Sequence, residues 1–131
     1  MKKMLALISA SALLLVLCSC GGDISQTVVV PVESEIYTDA EIDAAIKTVK
    51  KHFQKEFSGC TLKTLQYYGD ERREDPTNFD GDEAIVITGD FYVSESGASP
   101  VWTPNQTYEG FSWILVRNNK GNWRYATCGY G

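Results

Sequence analysis

Chemistry in a chain this small would need a histidine relay, a reactive thiol, paired carboxylates or a phosphate cradle, and each is sparsely supplied. His52 is the only histidine among 131 residues. Any nucleophile–histidine–acid relay would have to pass through it. No Gly-x-Ser-x-Gly elbow accompanies it. Its place between Lys51 and Phe53, beside an apolar stripe, reads more simply as a half-exposed surface histidine. His52, Cys60 and Cys128 cannot fill a tetrahedral zinc site without carboxylates. Asn78-Phe79-Asp80-Gly81-Asp82 has the composition of a calcium loop. With Gly81 at the loop's sixth position, however, Pro76 falls on the first ligand and Ile87 on the twelfth, where carboxylates belong. That segment reads as a polar turn leading into Glu83. The glycines at 21, 22, 81, 89 and 121 make neither a P-loop nor a dinucleotide fingerprint. These patterns assign no catalytic residue, no metal ligands and no cofactor.

Aromatic area is in better supply. Tyr67, Tyr68, Phe91, Tyr92, Phe111, Tyr125 and Tyr130 lie on or beside predicted strands, and most such residues are core. Trp102, Tyr108, Trp113 and Trp123 are the candidate binding residues, anchors for a ligand at a pocket mouth or groove. Trp102 leads them, because it stands in a loop without a strand partner.

The elements that would position these side chains are preceded by a segment of another kind. Lys2 and Lys3 open the chain, and residues 4 to 17 form an uncharged, mostly apolar run. A bilayer-spanning helix needs about 20 such residues, so the run suits the apolar core of a signal peptide. Leu17-Cys18-Ser19-Cys20-Gly21-Gly22 resembles the lipobox of bacterial lipoproteins. Small Ser19 precedes Cys20, whereas bulky Leu17 precedes Cys18, so the resemblance implies cleavage after Ser19 and acylation of Cys20. Residues 1–19 are then the signal peptide. Two or more acyl chains, each buried methylene adding about 0.8 kcal/mol, hold the product on the membrane, facing the extracytoplasmic side.

Removing 19 of 131 residues leaves 112, enough for one domain with one core. The signal takes two of twelve basic residues and none of seventeen acidic ones, so the net charge moves from −5 to −7. Such a balance argues against nucleic acid as a partner. Cys60 and Cys128 remain as an even pair in an exported chain. They are read as a possible disulfide, worth roughly 4 kcal/mol for a loop of that length, or as two buried free thiols. Sequence leaves both open.

Residues 20–36 read as the lipid-bearing cysteine and a flexible tether, with Gly21-Gly22, Pro31 and solvent-loving Glu33 and Glu35. Val28-Val29-Val30 is β-prone within it. The domain is expected over 37–131. Thr38 and Glu41 form a capping box, flanked by Tyr37 and Ile42 at the staple positions. Ile42, Ala45, Ile46, Val49, Phe53 and Phe57 follow at three- and four-residue steps. With Gly59 as terminator, this predicts a helix over about 39–58. Lys47, Lys50, Lys51 and Lys55 form its solvated basic face. Strands are expected at 61–68, at 83–93 with a bulge at Gly89, at 110–118 and at 123–130. Asp75-Pro76 suits a single helical turn, residues 94–108 a long loop, and Asn119–Asn122 a hairpin turn with Gly121 for positive φ. The plan is α+β: one long amphipathic helix packed on an antiparallel sheet of at least four strands with one apolar face.

Residues 36–131 also resemble small lipoproteins of Gram-positive anaerobes that carry a domain of unknown function. The matching segments are Gly59-Cys60-Thr61-Leu62, Asp82-Glu83-Ala84-Ile85-Val86 and Pro104-Asn105-Gln106-Thr107-Tyr108. Trp113-Ile114-Leu115-Val116-Arg117, Gly121-Asn122-Trp123 and the terminal Gly129-Tyr130-Gly131 match as well. The resemblance implies a cystatin-like cone, as in nuclear transport factor 2-like domains: a helix wrapped by a curved antiparallel sheet. Cys128 departs from the pattern, so the resemblance lends the disulfide no support.

Three functions fit these features. The first is a binding or interaction module held at the cell membrane through Cys20, recognising a protein, peptide or small ligand. The second is a small enzyme with a carboxylate such as Asp90, or a tyrosine, working in the cone, on fold analogy alone. The third is an inhibitor or immunity-type protein presenting its hairpin and loop as a wedge. The expectation is binding without catalysis.

Overall fold

The structure, a computed structural model, describes residues 21–95 and 100–130. The expected signal peptide and Cys20 lie outside the described residues. The fold is α+β, one helix packed on an open five-stranded mixed sheet. The elements are β1 (Val28–Val29), α1 (Asp39–Glu56), β2 (Cys60–Tyr67), a 3-10 turn (Pro76–Phe79), β3 (Glu83–Val93), β4 (Thr107–Arg117) and β5 (Arg124–Gly129). Strand order follows chain order. β2 to β5 form the expected antiparallel meander, and β1 adds a parallel edge.

Helix α1 begins as its residues dictate. Thr38 Oγ1 accepts from the Glu41 N–H at 3.1 Å, and Glu41 Oε1 accepts from the Thr38 N–H at 2.9 Å. Ile42, Ala45, Ile46, Val49 and Phe53 are its buried stripe, facing Leu62, Leu65, Ile85, Ile87, Phe91, Trp113 and Leu115 of the sheet. The helix stops two residues earlier than predicted. Phe57 leaves helical geometry at φ −108°, ψ 51°, and turns its ring into the core instead of adding a turn.

The end of the helix is closed by the segment expected to be a tether. The Gly22 N–H donates to the Gln54 carbonyl at 3.0 Å, taking up a carbonyl that the last helical turn leaves without an intrahelical donor. The chain then runs along β2: Asp23 N–H to Cys60 O at 2.9 Å, Leu62 N–H to Asp23 O at 2.8 Å, and Val30 N–H to Leu65 O at 2.9 Å. Asp70 fastens the far end, accepting from Ser34 Oγ–H, the Glu35 N–H and Tyr67 O–H. Gly21 and Gly22 are glycines for close approach, not for flexibility. A Cβ on Gly22 would meet the Phe53 carbonyl oxygen at 2.3 Å, and one on Gly21 the Gln54 carbonyl oxygen at 2.4 Å. Residues 21–36 are therefore part of the folded body, and no free tether precedes Tyr37 within them.

The sheet also buries both faces, where one was expected. Val86, Ser112, Ile114 and Val116 are buried on the side away from α1. The 69–82 connection folds over them: Gly81 lies against Val116, and Arg72 reaches Ser112 Oγ at 3.5 Å. Within it, Asp75 caps the 3-10 turn as anticipated, its Oδ1 accepting from the Thr77 N–H. Asp80 takes the left-handed cap position, and Asp82 Oδ2 accepts from the Asn119 N–H. In the β4–β5 turn the positive φ values fall on Asn119 and Lys120, 54° and 55°, and not on Gly121 as expected. The right-handed strand twist favours that geometry, with both central residues left-handed.

Candidate functional site

His52, Cys128 and Trp102 come together in one place. A cleft of about 590 Å³ opens between the C-terminal half of α1, β5 and the segment after residue 100. One wall is a stack: the His52 and Tyr125 rings lie 3.7 Å apart and 11° from parallel. Tyr125 O–H donates to Cys128 Sγ at 3.3 Å. The other wall is Trp102, stacked on Phe57 at 5.5 Å and set edge-on to Phe91 at 5.1 Å. Val101, 74 % exposed, marks the rim beside Lys55 and Glu56.

Three local features make this arrangement. His52 sits one position from Phe53 on α1, so it reaches the rim of the helix–sheet interface. On β5, Tyr125 faces Leu115 while Cys128 faces Trp113, and the register shifts between Ile114 and Leu115. Tyr125 and Cys128 are three residues apart and would alternate in a regular strand. The extra residue returns both to the core side. The third feature is the return of the chain after β3, where the Asn105 N–H donates to Val93 O and the Val93 N–H to Gln106 O. This holds the 100–106 segment against the helix end.

The electrostatics leave the inner walls uncharged at neutral pH. Burial lowers the His52 pKa from its ordinary value, against the opposing pull of Glu56. Burial raises the Tyr125 hydroxyl, with the Cys128 hydrogen bond adding to the rise. Burial also raises the Cys128 thiol, although the Tyr125 hydrogen bond works the other way. The cleft thus offers aromatic faces, a neutral imidazole and a thiol, with one cation and one anion at its edge.

The four predicted binding residues separate. Trp102 lies in the cleft, but it is half-buried and packs on the core instead of standing free. Tyr108 is a support: it stacks on Phe91 at 5.2 Å, and its hydroxyl accepts from the Thr103 N–H at 3.0 Å. Trp113 and Trp123 cannot be ligand anchors, because both are buried. Trp113 fills the centre of the core, and its Nε1–H has no acceptor among the described residues. Trp123 donates from Nε1 to the Glu41 carbonyl at 3.1 Å, and the Arg117 guanidinium covers its ring at 4.2 Å. The strand alternation was read correctly there, but the helix occupies the face that was assigned to ligand.

Cys60 and Cys128 are free thiols in the structure, which corrects the disulfide alternative. Cys60 pairs with Val93 at one end of β3, and Cys128 pairs with Trp113, itself opposite Ile87. They are three strand spacings of about 4.8 Å apart across the sheet and offset along it, against the roughly 7 Å that a disulfide tolerates between Cα atoms.

Sequence reasoning missed Arg117. It is 3 % exposed and held by two carboxylates. Its Nε and Nη2 meet the two oxygens of Glu83 at 3.2 and 2.9 Å, and Nη2 also meets Glu41 Oε2. The arrangement joins the helix start to β3 and β4. An arginine closing the apolar run Trp113–Val116, with Glu83 opposite it in register, was the available signal. No group of three or more potential metal ligands occurs among the described residues, and no helix among them is long and apolar enough to cross a membrane. Comparison with protein-family models, with characterised proteins and with solved structures returns no match to this chain.

Proposed function

We propose that this chain is an extracytoplasmic lipoprotein, anchored in the cell membrane through Cys20, whose domain works as a binding module for a protein, peptide or small ligand. The observation that carries the binding reading is the cleft: the His52–Tyr125 stack and Trp102 line about 590 Å³ of open space. Such walls suit a flat apolar or aromatic group, with the imidazole and thiol available for polar contact. The anchor rests on the lipobox pattern ending in Cys20. The helix-on-sheet plan is consistent with kinship to the cystatin-like domains, although the sheet here is open. An enzyme built on Cys128 is less economical, since burial raises the thiol and His52 stacks on Tyr125 without bonding the sulfur.

The test uses the soluble domain, residues 21–131, immobilised against native envelope extract. Tyr125→Ala is the useful variant, because Trp102 also supports Phe57 and Phe91. A partner retained by the wild type and by Lys120→Ala, and lost from Tyr125→Ala, is the expected result. Equal retention by all three removes the cleft from the reading. Turnover of an envelope substrate, abolished by His52→Ala in a folded domain, replaces binding with catalysis. Mass spectrometry of the mature N-terminus checks the anchor separately: an acylated Cys20 followed by Gly21 is expected.

A further inference from the structure

The placement of Gly21 and Gly22 bears on how such a domain would stand on its membrane. Gly22 is hydrogen-bonded to the last turn of α1, and Gly21 is pressed against the Gln54 carbonyl. Consecutive Cα atoms are only about 3.8 Å apart. An acyl-bearing residue directly before Gly21 therefore has no slack, and the bilayer surface must come up to this end of the domain. The same end carries the return after β3. Gly21, Gly59 and Ser94 line one hollow, Ser94 is bonded to Gly59, and Val93 is bonded to both Asn105 and Gln106. Trp102 covers Phe57, the residue that ends the helix. The exposed large hydrophobic side chain of this segment is Val101, flanked by exposed Pro100 and Pro104.

We infer that the domain rides flush on the lipid surface, with the helix C-terminal end and the 100–106 segment facing the headgroups and Val101 lodged among them. This rests on acylation of Cys20 and goes beyond it, since an anchored domain on a slack linker would have no fixed face. Lodging Val101 removes apolar surface from water, and Trp102 beside it is the residue type that favours the boundary between headgroups and acyl chains. Charge contributes little. At this end Lys55 and Lys63 are outnumbered by Asp23, Glu56 and Glu95, so charge supplies no attraction to an anionic surface and the contact is expected to survive raised salt. The cleft beside Val101 then opens along the membrane plane, at the height where a partner's membrane-proximal part would lie.

The experiment uses the full lipidated protein in vesicles of phosphatidylcholine and phosphatidylglycerol. A fluorophore is placed on Val101→Cys, or on Lys120→Cys in the opposite turn, both in a Cys128→Ser background; Cys60 is buried. The label at 101 should lose most of its quenching by aqueous iodide and be quenched by brominated lipid. The label at 120 should do the reverse. A Gly-Ser spacer of about 20 residues, reaching roughly 25 Å, inserted between Cys20 and Gly21 should leave the protein on the vesicles. It should also make the two labels alike. Equal accessibility of 101 and 120 in the unspaced, membrane-bound protein overturns the flush orientation while leaving the anchor intact. An unmodified Cys20 overturns both together.

Discussion

Replacing Arg117 by Met tests whether the ionic cluster behind Trp123 holds the helix to the sheet. The guanidinium is almost fully buried, while the Glu41 and Glu83 side chains it joins are 24 % and 26 % exposed. Removing one partner of a buried pair costs about 3–5 kcal/mol, because the remaining charge is left uncompensated. Partial exposure of the carboxylates places this case at the low end. The contact over the Trp123 ring adds about 1 kcal/mol, and the methionine's own packing offsets about as much. The expected loss is about 3 kcal/mol at pH 7, roughly 12 °C or more in Tm for a domain of this size. The pH dependence supplies the sharper check. In the wild type the Thr38 N–H and Arg117 hold Glu41 down at about 2, from an ordinary 4.5. That contribution is fully present above about pH 4.5 and is lost as pH falls through 2. In Arg117→Met the Thr38 N–H still holds Glu41 below its ordinary value, but less far than when the guanidinium also faces it. The variant should therefore lose less stability on acidification than the wild type, so the gap should hold from pH 7 to about 4.5 and narrow as pH falls through 2. Urea unfolding at several pH values measures both. A loss below about 1 kcal/mol at pH 7, or a gap that stays constant as pH falls from about 4.5 to 2, would show the cluster to be an ordinary surface bridge and refute the reasoning.

Phe53→Asp should unfold the domain, since it puts a carboxylate in a fully buried position against Phe57, Phe91 and Trp113; near-normal thermal stability would contradict the helix–sheet packing. Lys120→Gly should stabilise by about 0.5–1 kcal/mol by relieving a left-handed residue. It loses only an exposed 3.7 Å contact to Glu83, and denaturant titration reads the sign. Alkylation without reductant should label Cys128 in the native protein, slowly and faster with rising pH. Burial pushes Cys60 up to about 11, and Cys60 should react only on unfolding. A cross-linked Cys60–Cys128 peptide would overturn the free-thiol assignment.

What could be read from sequence was whatever local chemistry determines. The capping box and the spacing Ile42–Phe53 describe one helix face, and that face is buried. Gly89 was read as a bulge; the register does shift beside it, and a Cβ there would meet the Thr64 carbonyl oxygen at 2.1 Å. What was missed depends on contacts between segments distant in sequence. Gly21-Gly22 has the composition of a linker, and only the Gln54 carbonyl across from it turns that composition into a packing requirement. The uninterrupted run Trp113–Val116 did carry a signal for a strand buried on both faces, but it was read as a strand with a single apolar side. Trp113 and Trp123 look like binding residues in sequence because an aromatic strand face is the same pattern whether a ligand or the chain's own helix covers it. The candidate site depends on the most distant information of all. Tyr125 and Cys128 share a face through a one-residue shift opposite β4, and they meet His52 only after the helix has docked. A site assembled in this way leaves no spacing in the sequence to recognise: the sequence holds no motif here, while the folded chain brings its one histidine beside a tyrosine that hydrogen-bonds a thiol.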